Sequence, residues 1–210
     1  MGEYNYLSLY NITNYPSLPG FIPTQLGNPD LHWEKTAQAD VGIEFGFFGN
    51  RLSGEVDYYN KRTTDLLLNV NIPSSTAYSF VTENLGKLRN QGVELTLNSV
   101  NTEGAFRWTT SFNIAYNRNK ITDLKGQVIE SGQQRAVEGE AIGAFYLPKY
   151  LGVDSATGDA LYMDKDGKPT NNYGQAVRTV VGNANPDFTG GLTNNFTYKG
   201  FDLSAFFMFV

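Results

Sequence analysis

The residues able to carry acid–base, nucleophilic or metal chemistry are few and scattered along these 210 residues. There is one histidine, His32, and no cysteine. An imidazole beside Trp33, with no second His, no Cys and no acidic cluster near it in the chain, does not make a metal-ligand set, and a structural or surface role is expected for it. Asp164-Lys165-Asp166-Gly167-Lys168 opens like a calcium loop, with Thr170 at the fourth ligand position. The loop then needs a bidentate glutamate where this chain has Gln175, so a tight turn before Pro169 is the better reading. Gly190-Gly191 is not followed by a helix and reads as a strand entry with a bend, not a phosphate cradle. No nucleophile, base and orienting group can be assembled, and the chain is read as a non-enzyme with no cofactor and no metal. Recognition is what remains. Tyr78, Tyr146, Tyr150, Asn171, Asn172 and Tyr173 lie in long connecting stretches, where their rings and amides could contact a sugar or a partner protein.

The elements that must position these residues are strands. With 22 Gly, 13 Tyr and 14 Phe, the composition favours pleated strands joined by turns and disfavours long helices. A formal charge of −5, with no run of basic residues, excludes a nucleic-acid partner. Residues 39–59, ADVGIEFGFFGNRLSGEVDYY, read as two strands joined by a two-residue turn at Gly49-Asn50. Val41, Ile43, Phe45 and Phe47, then Leu52, Val56 and Tyr58, share one face; Asp40, Glu44, Arg51, Glu55 and Asp57 share the other. The pattern returns at residues 92–98, where Val93, Leu95 and Leu97 oppose Glu94, Thr96 and Asn98. It returns again at 106–117, where Phe106, Trp108, Phe112, Ile114 and Tyr116 alternate with Arg107, Thr109, Ser111, Asn113 and Asn117. Residues 188–198 and 201–210 form a last pair around a turn at Lys199-Gly200, and the chain stops mid-strand. No Asp, Glu, Lys or Arg occupies an outward position of these six strands.

Residues 1–30 hold Pro16, Pro19, Pro23 and Pro29 and read as a loop or linker-like lead-in. The first residues carry no basic or apolar segment of the secretory kind, and no apolar run of about 18 residues reads as a transmembrane helix. The turns at 49–50, 101–105 and 199–200 are short, whereas the connections over 63–91 and 120–186 are long. In an up-and-down meander this places every short turn at one end and both long loops at the other, the asymmetry of outer-membrane barrels. Aromatic residues beside the short turns stand where an interfacial girdle would lie. The expected fold is therefore all-β: an antiparallel meander of about six strands, part of a larger transmembrane barrel, with two long outer loops. A soluble carbohydrate-binding sandwich is the alternative that the pattern leaves open.

Several segments carry a family resemblance: NPDLHWEKT at 28–36, VGIEFGFFGNRLSGEVDYYNKRTTDLLL at 41–68, NLGKLRNQGVELTLNS at 84–99, GEAIGAFYLPKYLGVD at 139–154 and VGNANPDFTGGLTNNFTYKGFDLSAFF at 181–207. Together they resemble the C-terminal barrel of SusC/RagA-type TonB-dependent outer-membrane transporters. The resemblance implies a barrel of 22 strands, plugged by an N-terminal domain. It further implies import of oligosaccharides or peptides under TonB drive, a SusD-like lipoprotein as lid, and the bacterial outer membrane with its lipid as surroundings. No plug, TonB box or closing C-terminal strand is recognisable, so the expectation is a fragment over residues 31–210, truncated at its C-terminus and inactive alone.

Overall fold

The computed structural model describes residues 4–15 and 18–210; residues 1–3, Pro16 and Ser17, which belong to the expected loop, lie outside the described residues. Among the described residues all regular structure beyond two 3-10 turns is β. In chain order the strands are β1 (Leu9–Tyr15), β2 (Leu18–Gln25), β3 (Lys35–Phe47), β4 (Leu52–Asn71), β5 (Phe80–Thr102) and β6 (Phe106–Asp123). There follow β7 (Ile129–Ser131), β8 (Gln134–Ala136), β9 (Ala144–Pro148), β10 (Tyr150–Val153), β11 (Ala160–Met163), β12 (Pro169–Thr170), β13 (Arg178–Gly182), β14 (Phe188–Tyr198) and β15 (Phe201–Phe209). The principal sheet has six strands in the order β15-β14-β6-β5-β4-β3. This is the expected antiparallel meander, and it does not close on itself. Among the described residues no helix is long and apolar enough to cross a membrane, a test that does not bear on strands.

The chain divides into two compact units. One comprises residues 36–62, 89–119 and 185–210 and is built from the meander strands. Its turns follow local chemistry. Lys199 and Gly200 both take positive φ, 47° and 82°, as the two-residue hairpin turn matched to strand twist requires. The first turn is wider than the expected Gly49-Asn50 pair: β3 ends at Phe47, and Phe48, Gly49 and Asn50 all have positive φ before β4 begins at Leu52. Gly190 is fixed by its surroundings, since a Cβ there would run into the Asn113 carbonyl and the Phe209 ring that covers it.

The other unit comprises residues 1–35, 63–88 and 120–184. Here the structure corrects three readings. The stretch over residues 1–30 contains the β1–β2 hairpin instead of being wholly loop. In a two-stranded ribbon each strand has a free edge, so Pro19 and Pro23 remove no ladder bond that another strand needs. The long connection over 63–91 is mostly strand, because β4 runs to Asn71 and β5 starts at Phe80. Asp65, with φ of 59° inside β4, hides this continuity by breaking the period-two pattern. Finally, residues 120–184 fold into a four-stranded sheet, β13-β9-β8-β7, and a three-stranded one, β10-β11-β12. Among the described residues every buried hydrophobic side chain belongs to this unit: Leu85, Ile121, Leu124 and Ala144. The meander unit contributes none, although its apolar side chains are far larger.

Candidate functional site

Register defines the apolar face of the meander as a stack of rows. Tyr198 pairs with Phe106 and Phe201; Phe196 with Trp108 and Leu203; Asn194 with Thr110 and Ala205. Leu192 then pairs with Phe112 and Phe207, Gly190 with Ile114 and Phe209, and Phe188 with Tyr116. Aromatic rings populate both ends. At the turn end Phe106 stacks on Phe196 at 6.2 Å, and Trp108 on Phe196 at 5.8 Å. At the other end stand Phe188 and Tyr116. Phe106 and Tyr116 are ten positions apart, about 33 Å at roughly 3.3 Å per residue. A strand tilt of about 45° converts this to about 23 Å of depth, close to the height of about 25 Å expected for the apolar band between the two aromatic girdles of an outer-membrane barrel.

The same registers place Arg107, Thr109, Ser111 and Asn113 with Thr197, Asn195, Thr193 and Gly191 on the opposite face. There Thr197 donates to Asp202 at 2.6 Å. Tyr59 lies over Gly92 and donates to Asn117 at 2.9 Å. Asn119 donates to Asn90 at 2.7 Å. The apolar face carries no formal charge over the band, while the other face carries acids, a base and amides. No second sheet of this unit covers the apolar side, where Leu203 is 65% exposed and Phe207 60%. This is the expected split between the two faces.

The candidate recognition residues lie in the other unit and separate into different roles. Tyr150 and Tyr173 come together through Tyr162, which the sequence reading missed. The Tyr150 and Tyr162 rings are 6.0 Å apart, and those of Tyr162 and Tyr173 5.2 Å at 84°, both edge-to-face. Tyr150 and Tyr173 remain more than half exposed. Asn172 accepts from the Gly174 N–H and so caps the 3-10 turn that begins at Tyr173. Asn171 donates to Asp159 at 3.1 Å. Tyr146 is engaged elsewhere, with the Arg135 guanidinium 3.8 Å from its ring centre and Arg135 bound to Glu130 at 2.6 Å. The Tyr78 hydroxyl lies beside that of Tyr10, which with burial raises its pKa above the usual tyrosine value. The missed signal was the strand Ala160–Met163 between the turns at Gly158 and Asp164, which puts Tyr162 opposite Tyr150.

His32 serves a structural clasp. Its ring faces Asp65 at 3.5 Å, and the Lys35 ammonium approaches the same carboxylate oxygen at 3.2 Å. Asn84 closes the clasp by donating to the carbonyls of His32 and Asp65, both at 2.8 Å, while its own oxygen accepts from the His32 N–H at 2.9 Å. Asp65 belongs to the unit that holds the loop sheets, and the Lys35 hydrogen bond holds its carboxyl below the usual range, with His32 adding to the effect. Glu138 is likewise held low, because it accepts the backbone N–H groups of Leu124 and Gly126. No group of three or more potential metal ligands forms among the described residues. Asp164 makes the expected tight turn, its carboxylate accepting from the Asp166 and Lys168 N–H groups.

Comparison with known proteins gives consistent results. A family model described as TonB dependent receptor-like, beta-barrel, matches residues 4–208. The TonB-dependent receptor P3 of Formosa agariphila is 34% identical over 95% of this chain and 22% of its own length. The TonB-dependent receptor SusC of Bacteroides thetaiotaomicron is 31% identical over 96% of this chain and 22% of its own. Among solved structures, the RagAB peptide transporter superposes with a TM-score of 0.84 at 32% identity, over 99% of this chain and 24% of that one. The chain thus spans between a fifth and a quarter of the length of these relatives.

Proposed function

The chain belongs to the TonB-dependent receptor-like β-barrel family, and from that premise we propose that it supplies part of the wall and outer loops of a nutrient importer in the bacterial outer membrane. The observation that carries this is the pair of faces on the six-stranded sheet. One is free of formal charge over the band and edged by aromatic rows about 23 Å apart; the other is polar. A soluble sandwich would have to bury the first face against a second layer, whereas lipid covers it without one. The polar face then lines an aqueous interior.

The parts assigned to the complete importer follow the family. Uptake is driven through the TonB system, a SusD-like lipoprotein acts at the outer opening, and the cargo is an oligosaccharide or a peptide. Within this chain the pair Tyr150 and Tyr173, held by Tyr162, is the recognition surface best organised for such cargo or for the lid. Two rigid rings present flat apolar area at small entropic cost. Tyr78, Tyr146 and Asn172 support their own loops.

Topology and recognition are tested together in cells expressing the complete importer. Epitope tags inserted at residues 160–175 are expected to be reached from outside, and a tag at Gly49-Asn50 is not. Tyr150→Ala with Tyr173→Ala is expected to slow uptake at least several-fold with barrel abundance unchanged. Reversed labelling would overturn the orientation, and unchanged uptake would remove the tyrosine pair from the site.

A further inference from the structure

One part of the polar face is out of keeping with the rest. Phe206 and Met208 alternate with Phe207 and Phe209, and register sets them opposite Thr193 and Gly191, on the side of Thr197 and Asp202. They are apolar side chains on the face that lines an aqueous interior, and they stand 64% and 74% exposed. The Phe206 ring lies over Gly191, where a Cβ would come within 2.9 Å of it, so the absent side chain seats the ring and its outer surface stays open. Beside this pair is a depression of about 450 Å³. Small residues, Gly191, Thr189 and Ala115, form its floor on β14 and β6, and Glu94 and Thr96 line it from β5. Every one of these positions belongs to the meander unit. Among the described residues Glu94 forms no ion pair.

An apolar pair open to water beside a lone carboxylate suits an occupant with an apolar group and a cation. The charge of the whole face agrees. Asp40, Glu44, Glu55, Asp57 and Asp202 join Glu94 there, against Arg51, Lys61 and Arg107, and a negative wall concentrates cations at its surface. From β14, which carries the Phe206 ring, to β5 are two strand spacings, about 10 Å. Side chains two positions apart in an extended peptide share one side and are separated by about 7 Å, and the reach of a long basic side chain covers the remainder. A neutral oligosaccharide has hydroxyls for the floor but no cation for Glu94. We propose that this depression is a subsite for peptide cargo, which places an apolar residue on Phe206 and Met208 and an arginine, two positions along, at Glu94. The guanidinium pairs with the carboxylate through two hydrogen bonds while its stem crosses the small floor. Gly191 is seven positions from Tyr198, at the inner turn, and three from Phe188, so the turn-length rule puts the subsite toward the outer opening, where cargo enters. The proposal rests on the importer reading of this face and names the cargo that the face selects.

The test is fluorescence anisotropy on the complete importer in detergent, with two labelled short peptides. One carries leucine and arginine two positions apart; the other has citrulline for arginine, which keeps the length and planarity and removes the charge. The arginine peptide is expected to bind at least tenfold more tightly. Glu94→Gln is expected to abolish that preference by weakening the arginine peptide alone, and Phe206→Ser to weaken both peptides several-fold. Heat-modifiable gel mobility reports barrel integrity separately, and the Phe206 variant serves if Glu94→Gln does not assemble. Equal affinity for the two peptides, no binding of either, or a preference that survives in folded Glu94→Gln would overturn the subsite and leave the lipid-facing reading of the other face standing. Ion conductance that appears in Glu94→Gln with the arginine preference unchanged would assign the depression to a plug contact and also overturn it.

Discussion

Phe112 and Glu55 occupy opposite faces of the same sheet, and this difference in environment sets what each position tolerates. A cation at Phe112 would enter the charge-free face between the aromatic rows, at a cost of roughly 2 to 4 kcal/mol near the midplane. Phe112→Arg is expected to lower the yield of assembled, heat-modifiable barrel in the complete importer, and Glu55→Arg to leave it near the parental level; equal loss from both would contradict the face assignment. Gly190 is constrained differently. Any side chain there displaces the Phe209 ring or meets the Asn113 carbonyl, so Gly190→Val is expected to reduce assembly although it adds apolar area to an apolar face. At this scale the sequence was partly legible. The alternation of Phe106 to Tyr116 announced its faces, because the strand period is two and charge is absent from one of its phases. The turns at Gly158 and Asp164 mark a short strand around Tyr162, but its role depends on being opposite Tyr150 across a register that no local pattern specifies.

The elements of the second unit depend on carboxylates that bind backbone. Glu138 joins the end of β6 to the segment before β9 by accepting two N–H groups, and this is why its carboxyl is held below the ordinary range. A carboxyl lowered on folding stabilises the loop at pH values above its unfolded pKa, and the contribution is lost as pH falls through the depressed folded value. Asp65, lowered chiefly by Lys35, behaves with the same sign. Limited proteolysis over 120–143 in the complete importer is accordingly expected to accelerate as pH falls below the usual carboxylate range. Glu138→Gln should show fast cleavage already at neutral pH, and a pH-independent rate in the parent would refute the role. These elements were the least legible part of the chain. Short strands such as β7, β8 and β12 have too few residues to show a period, and a single left-handed Asp65 concealed the length of β4. The proline-rich lead-in misled for a related reason, since a ribbon of two strands tolerates proline where a wide sheet does not.

At the scale of the whole molecule, the two units distribute their apolar side chains in opposite ways. Leu85, Ile121, Leu124 and Ala144 are buried within one unit, as in a water-soluble domain. The other unit leaves a sheet of Phe, Leu, Ile and Trp side chains on one face with no core of its own. That arrangement is stable only where another apolar phase covers the face, and a bilayer is the phase whose thickness matches the spacing of the aromatic rows. Whether that face meets lipid is therefore the central question for this molecule. Because this chain has no cysteine, single cysteines can be placed within it one position at a time. The decisive measurement is a spin-label scan over residues 106–117 in the complete importer reconstituted in bilayers, with oxygen and a water-soluble nickel complex as relaxants. Strict alternation is expected, in which labels at 106, 108, 110, 112, 114 and 116 respond to oxygen and those at 107, 109, 111, 113, 115 and 117 to nickel. Nickel accessibility at the even positions, or no alternation at all, would contradict contact with lipid.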